Sequence, residues 1–272
     1  MKMHKFDFSY RYGEQDIPYS VWLSEGTQTI KTILFLGLAQ LGHVAEHVAS
    51  ICPPGIAIVE GARHWKAADD GHDVPAYVSN YAYCSLQRVI DEFELGEVDI
   101  IAESQAAASI VIALAHGDYI ENVRNIVLVQ PHGLNRSAFG ADPDAMIREL
   151  RRRTLRNVRH QVRPLLTDKS LRTSHRQLLK YANLNDPASR ARYVAGLDYG
   201  TVDDLRVVAS SHRTRIVCGE KDELFPPSEI TDNLRANDIY VDVSIVPGVP
   251  HSPLGTRLGQ RLLAEALIGH YA

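Results

Sequence analysis

The sequence predicts an α/β protein: a doubly wound, mostly parallel sheet with an antiparallel start and an inserted helical cap. Three observations carry this. Short, continuously apolar runs recur along the chain, as strands buried on both faces of a parallel sheet require. Helical patterns separate those runs at the spacing of right-handed βαβ units. One long stretch, 135–197, holds helical patterns and no strand candidate.

The opening segments differ in texture from the rest. Residues 3–10 (MHKFDFSY) and 17–23 (IPYSVWL) alternate apolar and polar side chains, and Glu25-Gly26 marks a turn. KTILFLGL (31–38), GIAIVEG (55–61), VDIIAES (98–104), NIVLVQP (125–131) and TRIVCGE (214–220) are continuously apolar, with VDVSIVPG (241–248) a more polar member of the set. Helical patterns occupy 42–51, 75–94, 105–116, 226–236 and 255–270. The strandless stretch carries further helical patterns over 142–163, 170–182 and 186–196. It reads as a lid set into one domain, with 1–134 and 198–272 as the core and 135–197 as the cap.

A chain of 272 residues accommodates one large core with a modest insertion. Its 45% hydrophobic and 23% charged residues are those of an ordinary globular protein. A net charge of −4 supplies no field for nucleic acid or an anionic membrane, so neither is expected as a partner. Cys52, Cys84 and Cys218 lie in apolar stretches without metal-type spacing, which reads as buried thiols in a reducing compartment. The N-terminus MKMHKFDFSY lacks the apolar core of a signal peptide and no run reaches membrane-spanning length, so the expected compartment is the cytoplasm.

Chemistry concentrates at Val98-Asp-Ile-Ile-Ala-Glu-Ser104-Gln-Ala106, where a buried strand turns abruptly into an alanine-rich helix. A serine at such a corner has its hydroxyl lifted above the sheet, provided that the residues two before and two after are tiny. Ala102 and Ala106 meet that condition. Backbone N–H groups opening the helix favour negative charge at the same point.

With this corner the sequence resembles the α/β-hydrolase superfamily, over nearly the whole chain. The family's elbow is small-x-Ser-x-small, usually with glycines outside; here both are alanine. The family order of Ser, then Asp or Glu, then His implies Ser104 as nucleophile, Asp222 as acid and His251 as base. Asp222 follows a buried strand in TRIVCGEKDELFPP, with Glu220 and Glu223 as rivals, and His251 follows the last strand in VSIVPGVPHSPL. Each member falls at a strand's C-terminal end, the edge where open α/β sheets bind ligands. The resemblance also implies an oxyanion hole built from the N–H of Gln105 and that of Leu38, in Leu36-Gly37-Leu38-Ala39-Gln40. Leu36 stands there in place of the family's usual histidine.

Other residues are weaker candidates. Gly37 and His132, in Gln130-Pro131-His132-Gly133, fall where they could line a substrate pocket, although His132 also fits a plain turn. His72 resembles a structural Gly-His loop of the family. Asp69, Asp70 and Asp73 lack a fourth metal ligand, and Gly37 with Gly42 make no dinucleotide fingerprint, so no metal or cofactor is expected.

The predicted helix 142–163 carries arginines at 148, 151, 152, 153, 156, 159 and 163, of which 148, 152, 156, 159 and 163 share a face spanning about 80°. Ile147, Leu150, Leu155, Val158 and Val162 form a separate apolar stripe, the side expected to pack inward. The arginine face reads either as a solvated surface or as a dock, through Arg152 and Arg156, for something anionic. That partner could be a substrate carboxylate, a phosphopantetheine arm or an acidic acyl carrier.

The resulting expectation is a serine hydrolase acting on an ester or thioester of a small acyl substrate through an acyl-enzyme. C–C bond hydrolysis and acyl transfer use the same triad, and the fold does not choose among them. A non-catalytic binding protein on the same fold is the rival from another class, favoured by the two elbow alanines and Leu36 and opposed by the triad.

Overall fold

Alternation at the start of the chain produces a hairpin. β1 (Met3–Tyr12) and β2 (Gln15–Ser24) pair antiparallel, from Met3 opposite Ser24 to Tyr12 opposite Gln15. The computed structural model describes residues 3–12, 14–37, 40, 42–60, 74–117, 119–134, 143–169, 172 and 201–268. β2 also pairs antiparallel with β4 (Ile56–Val59), placing Val21 opposite Val59. The apolar runs become β3 (Thr32–Phe35), β4, β5 (Val98–Glu103), β6 (Val123–Val129), β7 (Arg213–Gly219) and β8 (Asp242–Val246). All pairings among these six are parallel, and the full order is β1-β2-β4-β3-β5-β6-β7-β8. Every residue of β3, β4 and β5 is buried, as strands covered on both faces require, including the polar Thr32, Asp99 and Glu103.

Period-two geometry sends neighbouring side chains to opposite faces, and helices cover both. Leu34, Ile58, Ile101, Val127 and Val217 pack against α1 (His43–Ile51) and α7 (Arg257–Ile268). Ile33, Ala57, Ile100, Ile126 and Ile216 pack against α2 (Val74–Glu92), α3 (Gln105–His116), α5 (Thr201–Ser211) and α6 (Pro227–Ala236). This is the doubly wound sheet that the sequence predicts. Among the described residues, no helix is long and apolar enough to cross a membrane. Cys52 and Cys218 are buried, burial pushing the Cys52 thiol up to about 12, whereas Cys84 is only partly covered.

Helix α5 has no counterpart in the sequence-based assignment. Its signals are present but short: Asp203 and Asp204 in the first turn, then buried Leu205 and Val208 three residues apart.

Helix α4 (Pro143–Thr167) corrects the expected inward face. Leu155 and Val162 are exposed, at 66% and 52%, while Arg153, Asn157 and Gln161 are buried. The side chains of Ile147 and Leu150 lie outside the described residues, as do the helices expected over 170–182 and 186–196, apart from Lys169 and Arg172 of the linking stretch. The physical reason is what α4 rests on. Its buried stripe meets loops at the C-terminal edge of the sheet, where peptide groups have no strand partners, so it buries side chains that can bond to them.

Candidate active site

Between the end of β5 and the start of α3 a single residue makes the turn. Ser104 does so at φ 52° and ψ −118°, a left-handed φ that costs a non-glycine residue of order 1–3 kcal/mol. Its surroundings hold it there: the Ser104 N–H donates to Val129 O at 2.8 Å, and its carbonyl accepts from Ala107 and His132 N–H, both at 3.1 Å. Ala102 and Ala106 are buried on either side. Gly37 comes close enough that a Cβ added to it would lie 3.2 Å from Ser104 Cβ. A side chain at this position would crowd Ser104, so glycine suits the close approach of that loop.

Ser104 Oγ lies 3.2 Å from His251 Nε2, and His251 Nδ1 lies 2.8 Å from Asp222 Oδ2. The second Asp222 oxygen accepts from the N–H groups of Leu224 (2.9 Å) and Phe225 (2.8 Å), so a fully buried carboxylate is paired on both sides. An ionised acid beside Nδ1 puts the ring proton there and turns the Nε2 lone pair toward the serine. Burial alone would lower the imidazole's pKa; the charge and hydrogen bond of Asp222, helped by Glu103, outweigh it and leave His251 raised. The rival acids are engaged elsewhere. Glu220 accepts from Gly248 N–H at 2.7 Å, and Glu223 faces His160 at 3.6 Å.

The base loop is held by carboxamides. Gln130 donates to Ser252 O and accepts from Ser252 N–H, both at 3.0 Å. Asn157 of α4 donates to His251 O at 3.0 Å and accepts from His251 N–H at 2.9 Å, and Gln161 donates to the same carbonyl. Arg153 binds Glu229 of α6 with both terminal nitrogens, at 2.8 and 2.9 Å, and reaches Leu224 O at 3.4 Å.

Glu103, the residue before Ser104, is 1% exposed. It accepts from Gln40 Nε2 at 2.6 Å and from Gly37 N–H at 3.4 Å. Burial pushes its carboxyl up to about 7 against the opposing pull of Gln40, His251 and the Gly37 and Leu254 N–H groups. It links the corner at Ser104 to Gly37 and Gln40 and interacts electrostatically with His251.

The remaining sequence candidates divide. Gln105 opens α3, where backbone N–H groups have no intrahelical acceptor. Leu38 lies outside the described residues, as do His72, Asp69, Asp70 and Asp73. His132 is brought to the site: its ring stacks on Phe225 at 4.8 Å, and Phe225 meets the His251 ring edge-on at 5.1 Å. Arg152 and Arg156 are exposed and touch no triad residue, and Arg152 is bonded to Glu149. A hollow of about 1190 Å³ lies at the opposite edge of the sheet, lined by Lys31, Thr32, Asp99 and Arg124, remote from the triad.

Sequence reasoning missed Glu103, Gln40, Gln130, Asn157 and Gln161. One signal was available for Glu103: a carboxylate at the C-terminal end of a strand that is apolar from Ile100 to Ala102. Another was available for α4: Arg153, Asn157 and Gln161 recur every four residues, one helical face.

No family model matches the sequence, and comparison with curated proteins finds no match. Solved structures do resemble it. The thioesterase domain from the curacin biosynthetic pathway superposes with a TM-score of 0.58 at 14% identity, over 97% of this chain and 99% of that one. The esterase RhEst1 from Rhodococcus sp. ECU1013 gives 0.59 at 17% identity, over 100% and 99% of the two chains. MGS-M2, an α/β-hydrolase enzyme from a Medee basin deep-sea metagenome library, gives 0.61 at 13% identity, over 97% of each. With the sheet order and the serine-bearing corner between β5 and α3, these likenesses identify the chain as a protein of the α/β-hydrolase fold.

Proposed function

We propose that the chain is a serine hydrolase that cleaves an ester or thioester of a small acyl substrate, with Ser104 as nucleophile, His251 as base and Asp222 as orienting acid. The observation that carries this is the unbroken relay from Asp222 through His251 to a serine held at a left-handed corner. A hydroxyl attacks poorly until its proton is removed, and His251 Nε2 stands where it can take it. Attack by Oγ on the acyl carbon forms the C–O bond and sends the carbonyl electron pair onto oxygen. The N–H of Gln105, with that of Leu38 from the Gly37 loop, is assigned to stabilise that oxyanion. Collapse expels the alcohol or thiol, which takes the proton from His251, and leaves Ser104 acylated. Water then repeats the cycle: His251 removes its proton, the acid departs and Ser104 regains its hydrogen. Gly37 and His132 border the reacting centre in this scheme, and helix α4 belongs to a cap built from residues 135–197. C–C bond hydrolysis and acyl transfer are the alternatives on the same groups.

The test is covalent. A fluorophosphonate should modify the protein once, at Ser104, and Ser104→Ala should abolish both labelling and turnover. A panel of esters, acyl thioesters and lactones then sorts the leaving group. A protein left unlabelled and inactive on the whole panel is a binding protein on this fold instead.

A further inference from the structure

We propose that Asn157 and Gln161 are positioning residues for the catalytic base, so that the seating of α4 governs the alignment of His251. The inference rests on the hydrolase assignment of the triad and extends it to a helix outside it.

Two consecutive peptides of the base loop are each closed by a carboxamide. Gln130, at the end of β6, pairs with both polar groups of Ser252, and Asn157 pairs with both polar groups of His251. Each makes the two-bond ring that a neighbouring antiparallel strand would supply. The sources differ in kind. Gln130 is 0% exposed and its own N–H donates to Val217 O at 2.7 Å, so it is part of the sheet. Asn157 and Gln161 sit on α4. The loop residue that bears the imidazole is thus clamped from a separate helix.

The same stripe reaches the loop that holds Asp222. Arg153, one turn before Asn157, reaches Leu224 O, and the Leu224 N–H donates to Asp222 Oδ1. Its guanidinium is tied by two bonds to Glu229. One buried polar face therefore touches the peptide beside the acid and the peptide of the base. A helix needed only for cover would bury apolar side chains, and α4 leaves Leu155, Val162 and Leu166 exposed. Side-chain amides buried to 3% at Asn157 and 0% at Gln161 have their use in bonds to the base loop.

Three readouts test this on Asn157→Ala, Asn157→Asp and Gln161→Met. Burst titration with 4-nitrophenyl acetate counts competent sites, so that turnover is expressed per site. An NMR titration of the ¹⁵N-labelled His251 ring needs no substrate. Thermal unfolding reports folding. In Asn157→Ala, kcat per site should fall about 100-fold with little change in KM, the scale of an ångström's misplacement. His251 should titrate closer to its ordinary value, because a displaced ring loses part of its coupling to Asp222; Glu103, also facing it, stays in place. Asn157→Asp keeps the acceptor for His251 N–H but sets an oxygen against its carbonyl, and Gln161→Met removes one donor at similar length. Both should lower the rate per site. Gln161→Met should move the titration in the same direction as Asn157→Ala, whereas the carboxylate of Asn157→Asp adds a charge that raises it, and the two decide the matter if Asn157→Ala does not fold. Leu155→Ala, on the exposed face, should match the parent. Variants with parental rate per site and an unmoved His251 titration would overturn the proposal. If the parent protein is inert toward fluorophosphonate and esters, the hydrolase reading has failed instead, and the NMR arm still decides whether Asn157 positions the ring.

Discussion

Ser104 and Gly42 hold the same backbone conformation, φ 52° and ψ −118° against φ 53° and ψ −121°, and each immediately precedes a helix. Glycine reaches this region without steric cost, whereas serine brings a Cβ into it. Ser104→Gly should therefore be more stable than Ser104→Ala by about 1 kcal/mol or more, even after alanine's smaller loss of chain entropy. Both should be inactive. Equal thermal stabilities would show that the corner stores no strain.

Asp222→Asn should lower turnover by about 10⁴, because the amide can favour the wrong imidazole tautomer while preserving shape. Glu220→Gln should change activity little, since an amide oxygen can still accept from Gly248 N–H. Steady-state kinetics on the two variants settles which acid serves His251.

Activity should rise with pH along a limb centred above the ordinary histidine value of 6.5, since only neutral His251 accepts the serine proton and its pKa is raised. Glu103→Gln removes one of the raising charges and should move that limb to lower pH. Stability gives an independent check. With Glu103 raised from 4.5 to about 7, the folded chain binds more protons than the unfolded one between those values, so its contribution to stability declines as pH rises across that window. His251, also raised, stabilises at low pH and ceases to do so as pH passes its folded pKa. Urea denaturation across pH 4 to 8 should show a decline that Glu103→Gln partly flattens. An unchanged slope would remove Glu103 from the account.

Two neighbouring arginines should behave oppositely. Arg153, with a side chain 7% exposed, binds Glu229 and Glu149, and Arg153→Met should cost about 3 kcal/mol, at the lower end for a broken buried pair because Glu229 is partly open to water. Arg152→Met should change stability little, its pair with Glu149 being exposed. Denaturation midpoints compare them directly.

Arg156 tests the anionic-partner reading. If the exposed arginines of α4 recruit a carboxylate, a phosphopantetheine arm or an acidic carrier, neutralising Arg152 and Arg156 should raise KM for anionic substrates far more than for neutral esters. Salt should act likewise, over a screening length of about 10 Å at 0.1 M. Equal effects on both substrate classes would leave a solvated face.

The strands, and the grouping of Ser104, His251 and Asp222, were legible because each rests on a local pattern: an apolar run, a small-x-Ser-x-small corner, an acid or a histidine just past a strand end. Helix α4 was misread for the opposite reason. Periodicity reports which face is apolar, but α4 rests on loop peptides, and the face it buries is set by those distant partners. Asn157 and His251 lie 94 residues apart, and no pattern within either segment encodes their pairing. Glu103 is a related case, its meaning depending on Gln40 and His251 from elsewhere in the chain.

β8 has a consequence for how the protein loses its chemistry. Among the described residues it is the border strand, paired with β7 alone, with Ile245 half exposed and Val246 buried. The loop bearing His251 leaves from this strand, whereas Ser104 is rooted in the middle of the sheet. Local opening therefore reaches His251 before it reaches Ser104. On the proposed assignment, gentle heating would carry the molecule through a form that keeps its helical signal and its Ser104 corner yet turns nothing over. Inactivation in that range would reverse on cooling, as long as the interior of the sheet stays closed.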